Sequence, residues 1–235
     1  MEKRPPGGSK GRLRACVVIP ALNEEATIAD VVRGALPFVD DIIVVDDGSV
    51  DRTAELAEKA GAYVIKHPRS AGQWSALRTG FKEALRRKYD IVITMDADGQ
   101  HDPADIPRLL KPIKAGRADL VIGSRLKGRL VAMIPYRYMG IRFFSKLLSI
   151  FMRESLTDVT SGFRAYRSWL LEALVERMRE RQYGILEATI IAWRLRARIE
   201  ETPISFTLKK TSKKGSIRFL LNLIRVLLRA LITHL

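Results

Sequence analysis

Five short apolar runs recur along the first half of the chain: ACVVIP at 15–20, DIIVVD at 41–46, AYVIK at 62–66, DIVITMD at 90–96 and ADLVIG at 118–123. Their apolar positions are nearly continuous rather than alternating, the pattern of strands covered on both faces. Between them lie EEATIADVVRGAL, DRTAELAEKAG, SALRTGFKEALRRK and PADIPRLLKPIKAG, which carry helical periodicity. Several open on Asp or Pro and two close at Gly, the usual helix boundaries. This alternation predicts an α/β fold with a mostly parallel sheet, right-handed crossovers and helices on its faces.

After residue 125 the alternation stops, and two amphipathic stretches follow. In IRFFSKLLSIFMRE, Arg142, Lys146, Ser149 and Arg153 are spaced by four, three and four. In IRFLLNLIRVLLRALITHL, Arg218, Asn222, Arg225 and Arg229 repeat that spacing. Each set falls on one narrow helical face. The first stretch reads either as a helix packed on its own domain or as a surface-binding one. The second, 217–235, reads as a helix lying on a membrane surface. It is a poor spanning segment, since two mid-bilayer arginines would cost roughly 2.5–3.5 kcal/mol each.

Charge divides the same way. Residues 1–105 carry 15 Lys/Arg against 17 Asp/Glu, and residues 106–235 carry 26 against 9. An acidic first part suits metal or hydroxyl ligands, and a basic second part attracts anions. The single cysteine, Cys16, excludes an internal disulfide framework and sits in an apolar run as a small core residue. The opening MEKRPPGGSKGRLR reads as a solvated basic tail without the apolar centre of a signal peptide. The expected division is a tail at 1–14, a catalytic domain at 15–208, and a basic loop with an amphipathic helix at 209–235.

Ligands of parallel sheets bind at the carboxyl ends of the strands. Four of those ends carry polar clusters: PALNEE, DDGS, DADGQHDP and GSR. Asp96, Asp98 and Gln100 are hard oxygen donors that suit Mg²⁺ or Mn²⁺ shared with substrate phosphates. The competing reading is that such Asp pairs cap turns. His101 and Asp102 precede Pro103, so Asp102 can cap a helix and His101 supports that turn. Asp46 and Asp47 of DDGS, with Asn23 and Glu24 of PALNEE, read either as turn and cap residues or as nucleotide contacts.

The ordered set P-x-x-N-E, D-D-G-S, D-A-D-x-Q-H, G-S-R and S-G-F-R-A, spread over residues 15–208, resembles family 2 glycosyltransferases of the GT-A fold. Within them it is most similar to dolichyl-phosphate mannose synthases and related polyprenyl-phosphate sugar synthases. The resemblance implies that Pro20, Leu22, Asn23, Glu24, Asp46, Asp47, Asp96 and Ala97 hold a nucleotide sugar, with GDP-mannose favoured over UDP-glucose. It implies that Asp96, Asp98 and Gln100 hold Mg²⁺ or Mn²⁺, with Asp98, Arg125, Arg137 and Lys209 catalytic. Arg125, Arg137 and Ser161 would meet the phosphate of a polyprenyl or dolichyl acceptor, and Lys209 stands nearest to the family's later basic position. The chain departs from the family where Gln73 and Trp74 replace a small, flexible loop element, and where Gly-Ser is displaced to 215–216. No Q-x-x-R-W occurs, which argues against a processive polysaccharide synthase.

The implied reaction is metal-dependent inverting hexosyl transfer at the cytoplasmic face of a membrane, by a peripherally attached enzyme. An acceptor phosphate monoester has a second pKa of about 6 and needs no general base. A sugar hydroxyl would need one, and Glu187 is the candidate there. A nucleotidyltransferase would want a Gly-rich basic loop where PALNEEA stands. A nucleic-acid-binding role would want aromatics among the basic residues; here long aliphatic runs separate them, so no nucleic-acid partner is expected.

Overall fold

A computed structural model gives the fold and describes residues 12–128, 130–131, 135–180, 184–207 and Arg225; of 130, 131 and 135–137 only the backbone is described. The five expected strands form as β1 (Ala15–Ala21), β2 (Asp41–Asp46), β3 (Tyr63–Lys66), β4 (Ile91–Thr94) and β5 (Leu120–Ser124). The four expected helices follow as α1 (Ile28–Ala35), α2 (Thr53–Lys59), α3 (Gln73–Arg86) and α4 (Ile106–Lys114). Beyond them come β6 (Leu130–Val131), α5 (Pro135–Met152), β7 (Arg164–Arg167), α6 (Ser168–Arg177), α7 (Ile185–Arg194), β8 (Ile199–Pro203) and β9 (Phe206–Thr207).

The main sheet has seven strands in the order β3-β2-β1-β4-β7-β5-β8, with β6 and β9 paired in a separate ribbon. It is parallel except for β7, which runs antiparallel to both β4 and β5. Strand parity explains the continuous apolar runs. Val17, Ile19, Ile42, Val44, Ile91 and Ile93 pack toward α1 and α4 on one face. Cys16, Val18, Ile43, Val45 and Val92 pack toward α3, α6 and α7 on the other. Both parities are buried, so both must be apolar.

Strands β1, β2, β4 and β5 point the same way, so PALNEE, DDGS, DADGQ and GSR emerge on one edge. Ala21 at the end of β1 lies opposite Asp46 at the end of β2. The amphipathic stretch expected at 141–153 falls in α5 as far as Met152, with Arg153 beyond the helix at a φ of 55°; Phe144, Leu148 and Met152 pack with Leu186 and Ile190 of α7. Residues 1–11 and the expected helix at 217–235 lie outside the described residues, Arg225 excepted.

Candidate active site

At the carboxyl edge lies a cleft of about 240 Å³, lined by Pro20, Ala21, Leu22, Glu24, Asp47, Ser70, Gly72, Gln73, Asp96, Ala97 and Asp98. Thus six of the eight residues expected to hold a nucleotide sugar face one space. The other two, Asn23 and Asp46, do not line it and instead hold the adjoining turns. Asn23 takes a left-handed φ of 55°. Its N–H donates to Ser49 Oγ at 2.9 Å, and its side-chain oxygen accepts from Val50 N at 3.0 Å. Asp46 accepts from Ser49 N at 2.9 Å, closing the DDGS turn.

Asp47 organises the cleft's far wall. Its carboxylate lies 2.7 Å from His67 Nδ1 and accepts from Ser70 Oγ (2.8 Å), Ala71 N (3.0 Å) and Gly72 N (2.9 Å). Burial raises this carboxyl, but the backbone donors with His67 and Ser70 outweigh it and hold Asp47 below the usual carboxylate range. Gly48 explains why the turn needs glycine: its φ is +83°, and a Cβ there would stand 2.8 Å from the Arg69–Ser70 backbone. The 69–72 segment is therefore clamped onto DDGS, and α3 starts directly behind it.

That clamp delivers Gln73, whose Nε2 donates to Asp96 Oδ1 at 2.9 Å. His101 Nδ1 accepts from the Asp96 N–H at 3.3 Å, with its ring stacked on Phe163 at 4.9 Å. His101 thus supports the turn. Asp102 accepts from Ala104 N at 2.9 Å, ahead of Pro103. Gln100 is buried and donates to Asp98 through its backbone N–H (3.1 Å) and its amide (2.8 Å), steadying that carboxylate from behind the cleft. Asp96 and Asp98 therefore supply two hard carboxylates at the cleft wall. Among the described residues no cluster of three or more His, Cys, Asp or Glu could hold a metal by itself. Two carboxylates fit a Mg²⁺ or Mn²⁺ ion that would draw its other oxygen ligands from a diphosphate and water.

Arg125 is 6% exposed. Its Nε and Nη2 donate to the two oxygens of Asp158 at 2.7 and 2.8 Å, and Nη2 also donates to Thr160 Oγ1 at 2.7 Å. Burial disfavours the guanidinium charge, and Asp158, followed by Asp96, more than offsets it. Arg125 is thus a buried cation electrostatically coupled to the cleft. Ser161 is fully buried, with its Oγ 3.4 Å from Phe163 N, so its hydroxyl braces the Ser-Gly-Phe turn. That turn backs the site: a Cβ on Gly162 would stand 3.5 Å from Asp96 Oδ1. Arg137 lies in the first turn of α5, but its side chain falls outside the described residues, as does all of Lys209. Glu187 is buried, and its carboxylate accepts from Arg179 N (3.2 Å) and Glu180 N (3.0 Å).

Three residues of the site were missed from sequence. His67 and Ser70 follow β3, whose end also opens on this edge; extending the strand-end rule to a fifth strand would have found them. Asp158 carries no local signal, being 33 residues from its partner.

The model of glycosyl transferase family 2 matches residues 16–175. The undecaprenyl-phosphate mannosyltransferase of Micrococcus luteus is 36% identical over 83% of this chain and 84% of its own. A UDP-N-acetylglucosamine–dolichyl-phosphate N-acetylglucosaminyltransferase from Methanococcus voltae is 35% identical over 80% of this chain and 83% of its own. The solved glucosyl-3-phosphoglycerate synthase of Mycobacterium tuberculosis, in complex with Mn²⁺ and UDP-glucose, is 25% identical with a TM-score of 0.74, covering 97% of this chain and 84% of that one.

Proposed function

The chain belongs to glycosyl transferase family 2 and is a glycosyltransferase, and from that premise we propose that it transfers mannose from GDP-mannose to a polyprenyl phosphate, inverting the anomeric centre. The observation that carries this reading is the cleft at the sheet edge, where Glu24, Asp47, Asp96 and Asp98 line one space. Two of the similar proteins are named for transfer to undecaprenyl or dolichyl phosphate. The dolichyl-phosphate relative uses a UDP sugar by name, so UDP donors are the second reading.

In this proposal Glu24, with the Asp46–Asp47 turn, meets the nucleoside, while the segment clamped by Asp47 closes over it. Asp96 and Asp98 would hold Mg²⁺ or Mn²⁺, which when bound neutralises charge on the departing diphosphate. Gln100, Gln73 and the His101 ring fix where those carboxylates point. Arg125 supplies a preorganised positive field behind Asp96, and Arg137 with Lys209 meets the acceptor phosphate. The phosphate oxygen attacks the anomeric carbon as the bond to nucleoside diphosphate breaks on the opposite side.

The acceptor chemistry has support inside the fold. Glu187, the candidate base for a hydroxyl acceptor, is buried and already accepts two backbone N–H groups. A phosphate monoester, anionic at neutral pH, requires no such base. Because the acceptor is lipid-linked in this reading, the enzyme works peripherally at a membrane; among the described residues no helix is long and apolar enough to cross one.

Calorimetric titration with GDP-mannose, GDP, UDP-glucose and UDP, with Mn²⁺ and after chelation, tests the donor side. Metal-dependent binding of the guanosine pair, abolished in Asp98→Ala, is the expected result. Binding of the uridine pair alone would move the assignment to the second reading.

A further inference from the structure

Gln73 opens α3 and lines the cleft, where it and Trp74 stand in place of the family's small loop element. Its backbone is fixed from both sides. On one side Gly72, at a φ of +100°, donates its N–H to Asp47 Oδ2 at 2.9 Å. On the other, Trp74 is buried, its ring edge-on to Phe81 at 6.4 Å. The Gln73 side chain itself is exposed, yet its Nε2 reaches Asp96 Oδ1 at 2.9 Å. The apolar core does not require a long exposed amide here, so the reason for it lies in what the amide touches.

Asp98, the second carboxylate of the pair, is held in the same manner. Gln100 donates its backbone N–H to Asp98 Oδ1 at 3.1 Å and its amide to Oδ2 at 2.8 Å. Three of the four oxygens of the two carboxylates therefore carry an amide N–H. Such hydrogen bonds orient a ligating carboxylate. They also oppose its turning both oxygens onto one ion, because an amide hydrogen already stands against one of them. Cations differ in how much this matters. Ca²⁺ gathers about six to eight oxygens in flexible geometry and takes carboxylates through one oxygen or both. Mg²⁺ needs a near-octahedral shell of shorter bonds, which water and phosphate fill alongside one or two carboxylates. Mn²⁺ shares its octahedral preference for oxygen. Tethered carboxylates suit the smaller, octahedral ions. Of the two amides, that of Gln100 is buried within its own turn, whereas Gln73 reaches Asp96 from 23 residues away and can be changed without disturbing that turn.

We propose that Gln73 is a positioning residue that tethers Asp96 so that the cleft takes Mg²⁺ or Mn²⁺ in preference to Ca²⁺. The inference rests on the donor-site reading for the presence of an ion, and adds the residue that chooses which ion it is. Gln73 acts through Asp96 alone, so its effect is on the ratio of affinities between cations rather than on one affinity.

The test reads ion binding, not transfer. Mn²⁺ binding to the full chain is followed by electron paramagnetic resonance with GDP, and again with UDP, and Ca²⁺ is then titrated in as competitor. In Gln73→Ala, Mn²⁺ should bind about tenfold more weakly while Ca²⁺ is weakened less, so the preference for Mn²⁺ narrows. A second variant covers an unforeseen fault in the first: Gln73→Glu keeps the side chain's length, removes the donor and adds a carboxylate, and it should narrow the preference as well. Because the side chain is exposed, both variants should melt within about 2 °C of the natural chain. Equal weakening of the two ions, or an unchanged ratio in both variants, would overturn the proposal and leave the amide as a brace of the loop. The two readings fail separately. Mn²⁺ bound by the natural chain with an unchanged ratio in the variants refutes the role of Gln73 alone. No Mn²⁺ binding by the natural chain with either nucleotide refutes the donor-site reading and this proposal with it.

Discussion

Replacing Asp158 by Asn tests the buried ion pair behind the cleft at constant side-chain shape. Asp158 is fully buried and Arg125 nearly so, with contacts of 2.7 and 2.8 Å between them. The Arg125 N–H also donates to Asp158, at 3.0 Å. Asn would present an amide donor to a guanidinium donor and leave a buried cation without a counter-charge. Breaking such a pair costs about 3–5 kcal/mol. At about 2–4 °C per kcal/mol for a chain of this size, the thermal midpoint should fall by roughly 6–20 °C. Circular dichroism melts at neutral pH read this directly. Arg125→Met/Asp158→Leu, which removes both charges, should recover much of the loss. The pH dependence has a definite sign. Burial raises the Asp158 carboxyl, but Arg125 outweighs it and leaves Asp158 below its ordinary value of 3.8. The pair's contribution is therefore complete above about pH 4 and is lost as pH falls through the lowered native pKa. The gap between natural chain and variant should close only in that acid window. A midpoint within about 2 °C of the natural chain at pH 7 would refute the assignment of a strong buried pair.

Three further outcomes follow from particular contacts. Gly80→Ala places a Cβ 2.3 Å from Val18 Cγ1; α3 must move off β1, and a loss of about 1–3 kcal/mol is expected in urea unfolding. Asp47→Asn should release the 69–72 segment, weakening nucleotide binding in calorimetry while far-ultraviolet circular dichroism stays that of the folded chain; loss of both would indicate general unfolding. Glu187→Gln should lower stability by about 1–3 kcal/mol yet leave the pH profile of kcat unchanged; a large fall in kcat with loss of the profile's acid limb would make Glu187 the base after all.

The first half of the fold was legible because each parallel strand is buried on both faces and reads as an unbroken apolar run. Strand β7 was hidden for the opposite reason. Its sequence, RAYR, opens on Arg164, which is fully buried yet polar, its guanidinium donating to the carbonyls of Ser161 and Val159 and to Thr189 Oγ1. A buried arginine satisfied by carbonyls of the preceding turn and a hydroxyl of α7 leaves no trace in periodicity. Strand β8, IEETP, is partly exposed at the sheet edge and was equally invisible. At the site, strand ends pointed to the acidic wall, since one topological rule places them together. The division of labour within it was not readable: the two aspartates of DDGS look alike, but one closes its own turn and the other clamps a loop two dozen residues away. Arg125 likewise read as a free ligand group, because its partner Asp158 is brought to it only by tertiary packing.

The most direct test of the proposed reaction is transfer of labelled mannose from GDP-mannose into a solvent-extractable polyprenyl phosphate product, with Mn²⁺, by the natural chain and by Asp98→Ala. Label should enter the organic phase only with the natural chain and metal, and the product should carry the inverted β linkage by NMR. Extractable product from Asp98→Ala at an unchanged rate, or none from any nucleotide sugar that binds, would contradict the assignment of the cleft as the donor site of a polyprenyl-phosphate sugar transferase.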